Sequence, residues 1–248
     1  MSFKIIKGIY KSTKEIEIKT DNIYNTKDYL LRNTKKVINQ IKESGQISHN
    51  YDLNAVVVTN LILKKKVKVI DFGGGLGNSY IDLIKKTNPK NLIYTIFDYK
   101  EIIDQSKKLL NSKKKIPSKN LKFASNLKSL NRCDILHFGN CLEHFEDFES
   151  IFFELLKITK PKIIVISAFY VGSNKNYTTI GKYYGKKFIL HFKSWEYFNK
   201  IIKKFKYKIV YKTRFLPKIK KKWTFYNMQN FPKLLRINYT WNIILERL

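Results

Sequence analysis

Residues 69–80 read V-I-D-F-G-G-G-L-G-N-S-Y. The apolar run Val67–Ile70 leads into Asp71, then into glycines at 73, 74, 75 and 77, then into a segment of helical character. Glycine adopts φ > 0 and carries no side chain, so such a loop lets backbone approach a ligand closely. The whole chain holds only 10 glycines, which argues against a plain tight turn here.

Several ligands compete for the loop. The nicotinamide fingerprint G-x-G-x-x-G fails in both registers: counted from Gly73 its third glycine is Asn78, and from Gly75 it is Tyr80. A phosphate-binding loop would continue with Gly-Lys-Ser/Thr, which is absent. What fits is D-x-G-x-G-x-G: Asp71, Gly73, Gly75 and Gly77. S-adenosyl-L-methionine carries no phosphate; it offers an amino-acid end, a ribose and an adenine. A carboxylate at the strand end can face the ammonium, directly or through water. A second carboxylate, at the end of the next strand, is needed for the ribose hydroxyls. Asp98 closes L-I-Y-T-I-F-D, 27 residues after Asp71.

Outward from the loop, apolar periodicity predicts helices from Thr26 to Ile41, ending near Gly45 and Asn50, and over Asp52–Leu63. Strands follow at Val67–Ile70, Leu92–Phe97, Leu121–Ala124, Ile135–Phe138 and Lys162–Ala168. Helices alternate with them at Ser79–Lys86 (stopped by Asn88-Pro89), Glu101–Leu110 and Phe148–Ile158. Short, nearly continuous apolar strands between helices predict an α/β fold: a doubly wound, Rossmann-like parallel sheet. Its ligand edge is the one where the strands end. Residues 169–192 read as a long linker rich in Tyr, Gly and Lys. A helix at Ser194–Lys204, a strand at Tyr207–Thr213, a basic loop K-I-K-K-K-W and a last strand at Tyr239–Leu245 complete the chain.

With 248 residues, 44% of them hydrophobic, the chain can bury a sizeable core. Its net charge of +30 suggests a nucleic-acid partner. The cations are 44 Lys and only 5 Arg, beside abundant Ile and Asn. Arg is the residue that grips phosphate bidentately, and a Lys/Ile/Asn excess is equally the mark of an AT-rich genome. Cys133 and Cys141 form neither C-x-x-C nor zinc spacing, so neither a disulfide framework nor a bound metal is expected. The N-terminus lacks a signal-peptide core, and the longest apolar run, Ile163–Val171, is too short to span a bilayer. The expectation is a cytoplasmic protein; Lys interleaved with aromatics near the C-terminus leaves peripheral contact with an anionic membrane open as an alternative.

V-I-D-F-G-G-G-L-G, then Asp98, then D-I-L-H-F-G-N-C-L-E-H-F resemble the first, second and fourth motifs of class I S-adenosylmethionine-dependent methyltransferases. The resemblance covers roughly residues 65–248. It implies a seven-stranded sheet with an antiparallel last strand, preceded by an N-terminal helical or irregular cap over residues 1–64. It makes residues 169–192 and 214–236 substrate-side insertions. D-F-G-G-x-L-G after the tyrosine-rich G-I-Y-K-S-T-K-E-I is further similar to bacterial putative methyltransferases often encoded among surface-polysaccharide genes. The implied cofactor contacts are Asp71, Gly73, Gly74, Gly75, Gly77, Asp98, Tyr99 and Asn140, with Asn126 (or Ser125) near the adenine where the family's usual Asp is absent.

The implied reaction is methyl transfer to a hydroxyl of a sugar, a glycan precursor or another small molecule. The segment Gly139–His144 lacks the Asn/Asp-Pro-Pro-Tyr/Phe of nucleobase N-methyltransferases and resembles small-molecule O-methyltransferases instead. His144 is the candidate base, since imidazole titrates near neutral pH. Glu143 would pair with it or bind an acceptor hydroxyl. His191, in H-F-K-S-W-E-Y-F, resembles a family position that lines the acceptor pocket, its alternative being an idle loop histidine. His49 is a weaker candidate, and His137, inside a strand, reads as a packed core residue. Tyr170, Tyr177, Tyr183 and Tyr184 offer surfaces for a sugar or aromatic acceptor. Lys218–Lys222 with Trp223 and Tyr226 could meet phosphate or RNA, or form a solvated loop. RNA methylation and a non-catalytic binding module are the alternatives.

Overall fold

A computed structural model describes residues 4–17, 27–42, 51–64, 66–87, 90–112, 116–117, 119–183, 186–216, 218–219, 222–223 and 228–248. His49, Tyr24, Tyr184, Lys220, Lys221, Tyr226 and the helix stops expected at Gly45, Asn50 and Asn88-Pro89 lie outside these residues. In chain order the strands and helices are β1 (Lys4–Tyr10), α1 (Lys27–Lys42), α2 (Tyr51–Leu63), β2 (Val67–Phe72), α3 (Asn78–Thr87), β3 (Leu92–Phe97), α4 (Lys100–Asn111), β4 (Leu121–Ala124) and β5 (Ile135–Gly139). They continue as α5 (Phe148–Thr159), β6 (Ile163–Phe169), β7 (Val171–Ser173), β8 (Tyr177–Tyr183), β9 (Lys186–Ser194), α6 (Trp195–Lys204), β10 (Tyr207–Phe215), β11 (Lys218–Ile219), β12 (Lys222–Trp223) and β13 (Thr240–Arg247).

Seven strands form one sheet in the order β10-β13-β6-β5-β2-β3-β4. β4, β3, β2, β5 and β6 pair in parallel, and β10 pairs antiparallel with β13. The doubly wound sheet with an antiparallel end is therefore present. By compactness the chain divides into two units, one of residues 24–139 and 154–167, the other of residues 1–23, 140–153 and 168–248. α1 and α2 group with the glycine-loop strands in the first of these units.

In the first unit the apolar faces of α1–α4 cover the parallel strands, and Val37, Leu53, Val57, Ile81, Leu83, Ile96, Leu110 and Ile135 are fully enclosed. β2 is buried along its length except at Lys68, as a central parallel strand should be. Its register sets Asp71 beside Ile96 of β3 on one side and His137 of β5 on the other. Gly77 (φ 87) lets α3 leave the loop tightly: a Cβ there would lie 2.8 Å from Leu110 and 2.9 Å from Ile96.

The second unit departs from the sequence reading. Residues 169–192 are no linker: they build β7, β8 and most of β9, which with β1 make a four-stranded sheet ordered β1-β8-β9-β7. β8 hides Tyr177, Thr178, Thr179 and Ile180 on both faces, so it shows no apolar alternation for a reader to find. β1, expected to be irregular, is a strand because β8 supplies its antiparallel partner. Phe148 anchors the unit's core, with Phe152, Phe169 and Phe198 rings 5.1–6.1 Å away.

Candidate functional site

The glycine loop rests on a buried polar chain. Asp71 is 0% exposed, and both its carboxylate oxygens are engaged. Tyr94 Oη donates to Oδ2 at 2.7 Å, and His137 Nδ1 lies 2.7 Å from Oδ1. On its far side His137 Nε2 is 3.0 Å from Ser167 Oγ. Burial and the neighbouring Asp71 push the Tyr94 phenol well above its ordinary range, so it stays a donor. Asp71 thus faces inward rather than out toward a ligand, and Gly74 lies on it: a Cβ at 74 would stand 2.9 Å from Oδ2.

Above that floor the loop curls through left-handed geometry at Gly73 (φ 71), Gly75 (φ 57) and Gly77 (φ 87). The Gly73 and Gly74 amides donate to the Phe97 carbonyl at 2.9 and 3.2 Å. The Gly75 amide donates to Asp98 Oδ2 at 2.8 Å, and the Tyr99 amide donates to Asp98 Oδ1 at 2.7 Å. Burial raises the Asp98 carboxyl to about 6, against the pull of these two amides. A Cβ at Gly75 would meet nothing within 4 Å, so the loop is open there. Each Asp98 oxygen keeps a lone pair for further donors. Tyr99 is the N-cap residue just before α4 and is 56% exposed. Asn126 is committed locally, its side chain capping the 3-10 turn Leu127–Ser129 by accepting from the Lys128 amide.

The second unit gathers the other candidates. Asn140, exposed and left-handed (φ 55), leads to a 3-10 turn holding Glu143 and His144. Glu143 is 2% exposed, and its Oε2 has no hydrogen-bond partner among the described residues. Burial raises its carboxyl to about 8, so it carries a proton at neutral pH. Its Oε1 lies 3.6 Å from His144 Nε2. Burial lowers the His144 imidazole to about 4, a hydrogen bond with the Ile189 backbone opposing it, so this ring is neutral at physiological pH. The ring packs against Phe188, 5.8 Å between centroids.

His191 is not a loop residue. It sits in β9, 3% exposed, its Nδ1 2.9 Å from Thr178 Oγ1 of β8, and burial lowers it to about 4. Two places further along β9, Lys193 is also buried; its Nζ donates to the Glu146 carbonyl at 2.8 Å, and desolvation lowers it to about 8. The Glu146 carboxylate is held by Thr13, through both hydroxyl and amide.

No protein-family profile and no curated protein matches this chain. Solved structures do. Magnesium protoporphyrin IX methyltransferase from Synechocystis PCC 6803, crystallised with bound SAM, is similar at TM-score 0.54 and 13% identity, covering 94% of this chain and all of that one. A SAM-dependent methyltransferase from Methanosarcina mazei is similar at TM-score 0.55 and 16% identity, over 77% of this chain and 97% of its own. LepI in complex with SAM gives TM-score 0.53 and 10% identity, over 91% of this chain and 54% of its own. This is the Rossmann-like methyltransferase fold.

Within that fold, the buried polar roles of four side chains escaped sequence reasoning. Tyr94 and Ser167 looked like ordinary strand positions, and His137 like core. The available signal was register: parallel pairing puts Asp71 level with His137, and Gly139 level with Ser167. Lys193 was hidden by its neighbours, since one lysine among 44 carries no signal of burial.

Proposed function

We propose that this chain is an S-adenosyl-L-methionine-dependent methyltransferase that delivers a methyl group to a hydroxyl of a sugar, a glycan precursor or another small molecule. The observation that carries the reading is the Gly75–Asp98 hydrogen bond at 2.8 Å, which seats a partly buried carboxylate beside an open, left-handed glycine loop. The residues fit the donor molecule. Gly73–Gly75 let its amino-acid end approach backbone, and Asp98 keeps lone pairs for two ribose hydroxyls. The exposed Tyr99, next to Asp98, would supply an aromatic face for the adenine. When bound, the sulfonium supplies an already electrophilic methyl.

The protein's part is then to orient the acceptor and take one proton. A neutral His144 can accept a hydroxyl proton. Glu143, protonated at neutral pH and itself buried, lies 3.6 Å from His144 Nε2 and is read as the partner that orients this ring. A neutral His191 fits the same uncharged acceptor. The test is calorimetry with S-adenosylmethionine, followed by transfer of a labelled methyl group to a panel of sugar nucleotides, small phenols and bulk RNA. Saturable binding with label in a sugar supports the reading. Absence of binding heat overturns it, and label appearing only in RNA overturns the acceptor class.

A further inference from the structure

Ser167, His137 and Asp71 have the connectivity of a nucleophilic triad, hydroxyl to imidazole to carboxylate, over 3.0 and 2.7 Å. Ser167 is only 4% exposed and His137 is 0% exposed, so no substrate reaches the hydroxyl. The arrangement needs another use. A buried carboxylate without donors is costly, and a fully satisfied polar network rigidifies what it touches. Here the carboxylate underlies Gly74, where a Cβ would sit 3.0 Å from Asp71 Cγ. His137 also touches the far side, since a Cβ at Gly139 would sit 3.0 Å from its Cε1.

We propose that His137 is a positioning residue for the glycine loop: its Nδ1 bond fixes the Asp71 carboxylate on which Gly74 rests, and so sets the loop backbone before any ligand arrives. A carboxylate only accepts, so the ring nitrogen facing Asp71 carries the proton and Nε2 takes the Ser167 hydroxyl proton. Tyr94 fixes the other carboxylate oxygen from β3. Two neighbouring strands therefore orient one carboxylate that neither could hold alone. Any effect on methyl transfer is indirect, through the loop.

The proposal rests on the methyl-donor reading of the loop, and its test separates the two. His137→Asn keeps a donor near the Nδ1 position, while His137→Gln keeps one near Nε2. Both lose the ring, so packing losses are comparable. In the ligand-free protein, the Gly73, Gly74 and Gly75 amides should exchange hydrogen about 10- to 100-fold faster in His137→Gln, and near the wild-type rate in His137→Asn. S-adenosylmethionine affinity should follow the same order. Equal exchange in the two variants, at whatever stability, overturns the positioning role. Retained exchange differences in a protein that binds no S-adenosylmethionine would keep the loop mechanics and overturn the ligand instead. Should His137→Gln fail to fold, Tyr94→Phe releases the other oxygen and must speed the same amides; unchanged exchange there overturns the proposal.

Discussion

Asp98 Oδ2 accepts the Gly75 amide proton over 2.8 Å, so the carboxylate that ends β3 braces the loop that follows β2. The same group is the one proposed to hold the ribose hydroxyls. Asp98→Ala should therefore weaken S-adenosylmethionine binding by about 1–3 kcal/mol, the cost of unpaired hydroxyl contacts. Its pKa of about 6 adds a pH signature. The ionised form is the better acceptor, so affinity should fall as pH drops through about 6. Titration calorimetry across that range checks both; an unchanged affinity in the variant would remove Asp98 from the ribose.

Glu143 makes a stability prediction. Its folded value of about 8 lies above the ordinary 4.5, so between these values the folded chain holds a proton that the unfolded chain has released. Stability contributed by the neutral carboxyl is present at low pH and is lost as pH rises through that window. Glu143→Gln should match wild type at about pH 5 and exceed it by a few kcal/mol at about pH 9, because the amide cannot ionise. Urea midpoints at the two pH values decide it. A variant that tracks wild type at both would mean that the carboxyl is not buried as described.

His144 carries the base assignment. His144→Ala should slow methyl transfer by about 10²–10⁴ while donor affinity holds. Because burial lowers the imidazole to about 4, wild-type kcat at saturating donor should show no acid limb between about pH 5 and 7, where an ordinary histidine would produce one. Single-turnover rates measure this, and a wild-type rate in the variant excludes His144.

Neighbouring glycines should respond differently to substitution. Gly75 is left-handed with open space around a Cβ, so Gly75→Asn should be tolerated, asparagine being the residue most at ease there. Gly74 has no such space; a Cβ would meet the Asp71 carbonyl oxygen at 3.0 Å, and Gly74→Ala should cost about 1–3 kcal/mol. Thermal unfolding of the two variants ranks them, and equal melting temperatures would contradict the close packing of Gly74 on Asp71.

How much of this could be read beforehand depended on periodicity. The strands from Val67 to Phe169 are short apolar runs between amphipathic helices, and they were read within a residue or two because burial on both faces leaves a plain mark. β8 is also buried on both faces but left no such mark, because Thr178 and Thr179 are among its buried residues. Its buried Thr178 is satisfied by His191, a partner 13 positions away that no local pattern reveals. Asp71 was recognised as part of the loop, yet its inward orientation follows from Tyr94 and His137, which reach it only through strand register. Asp98 alone is a weak signal in the sequence; it stands out only together with the loop, 27 residues after Asp71 at the end of the next apolar strand.

β1 has a practical consequence. It occupies one border of the β1-β8-β9-β7 sheet, where Tyr10 pairs with Thr178 and Ile5 with Gly181. Removing the first dozen residues, or forcing a bulky fusion into them, would leave β8 with a bare row of amides and carbonyls. Such a border recruits whatever strand comes next, including that of a second copy. A shortened form would then be limited by clumping rather than by chemistry, and a purification tag belongs at the other end of the chain.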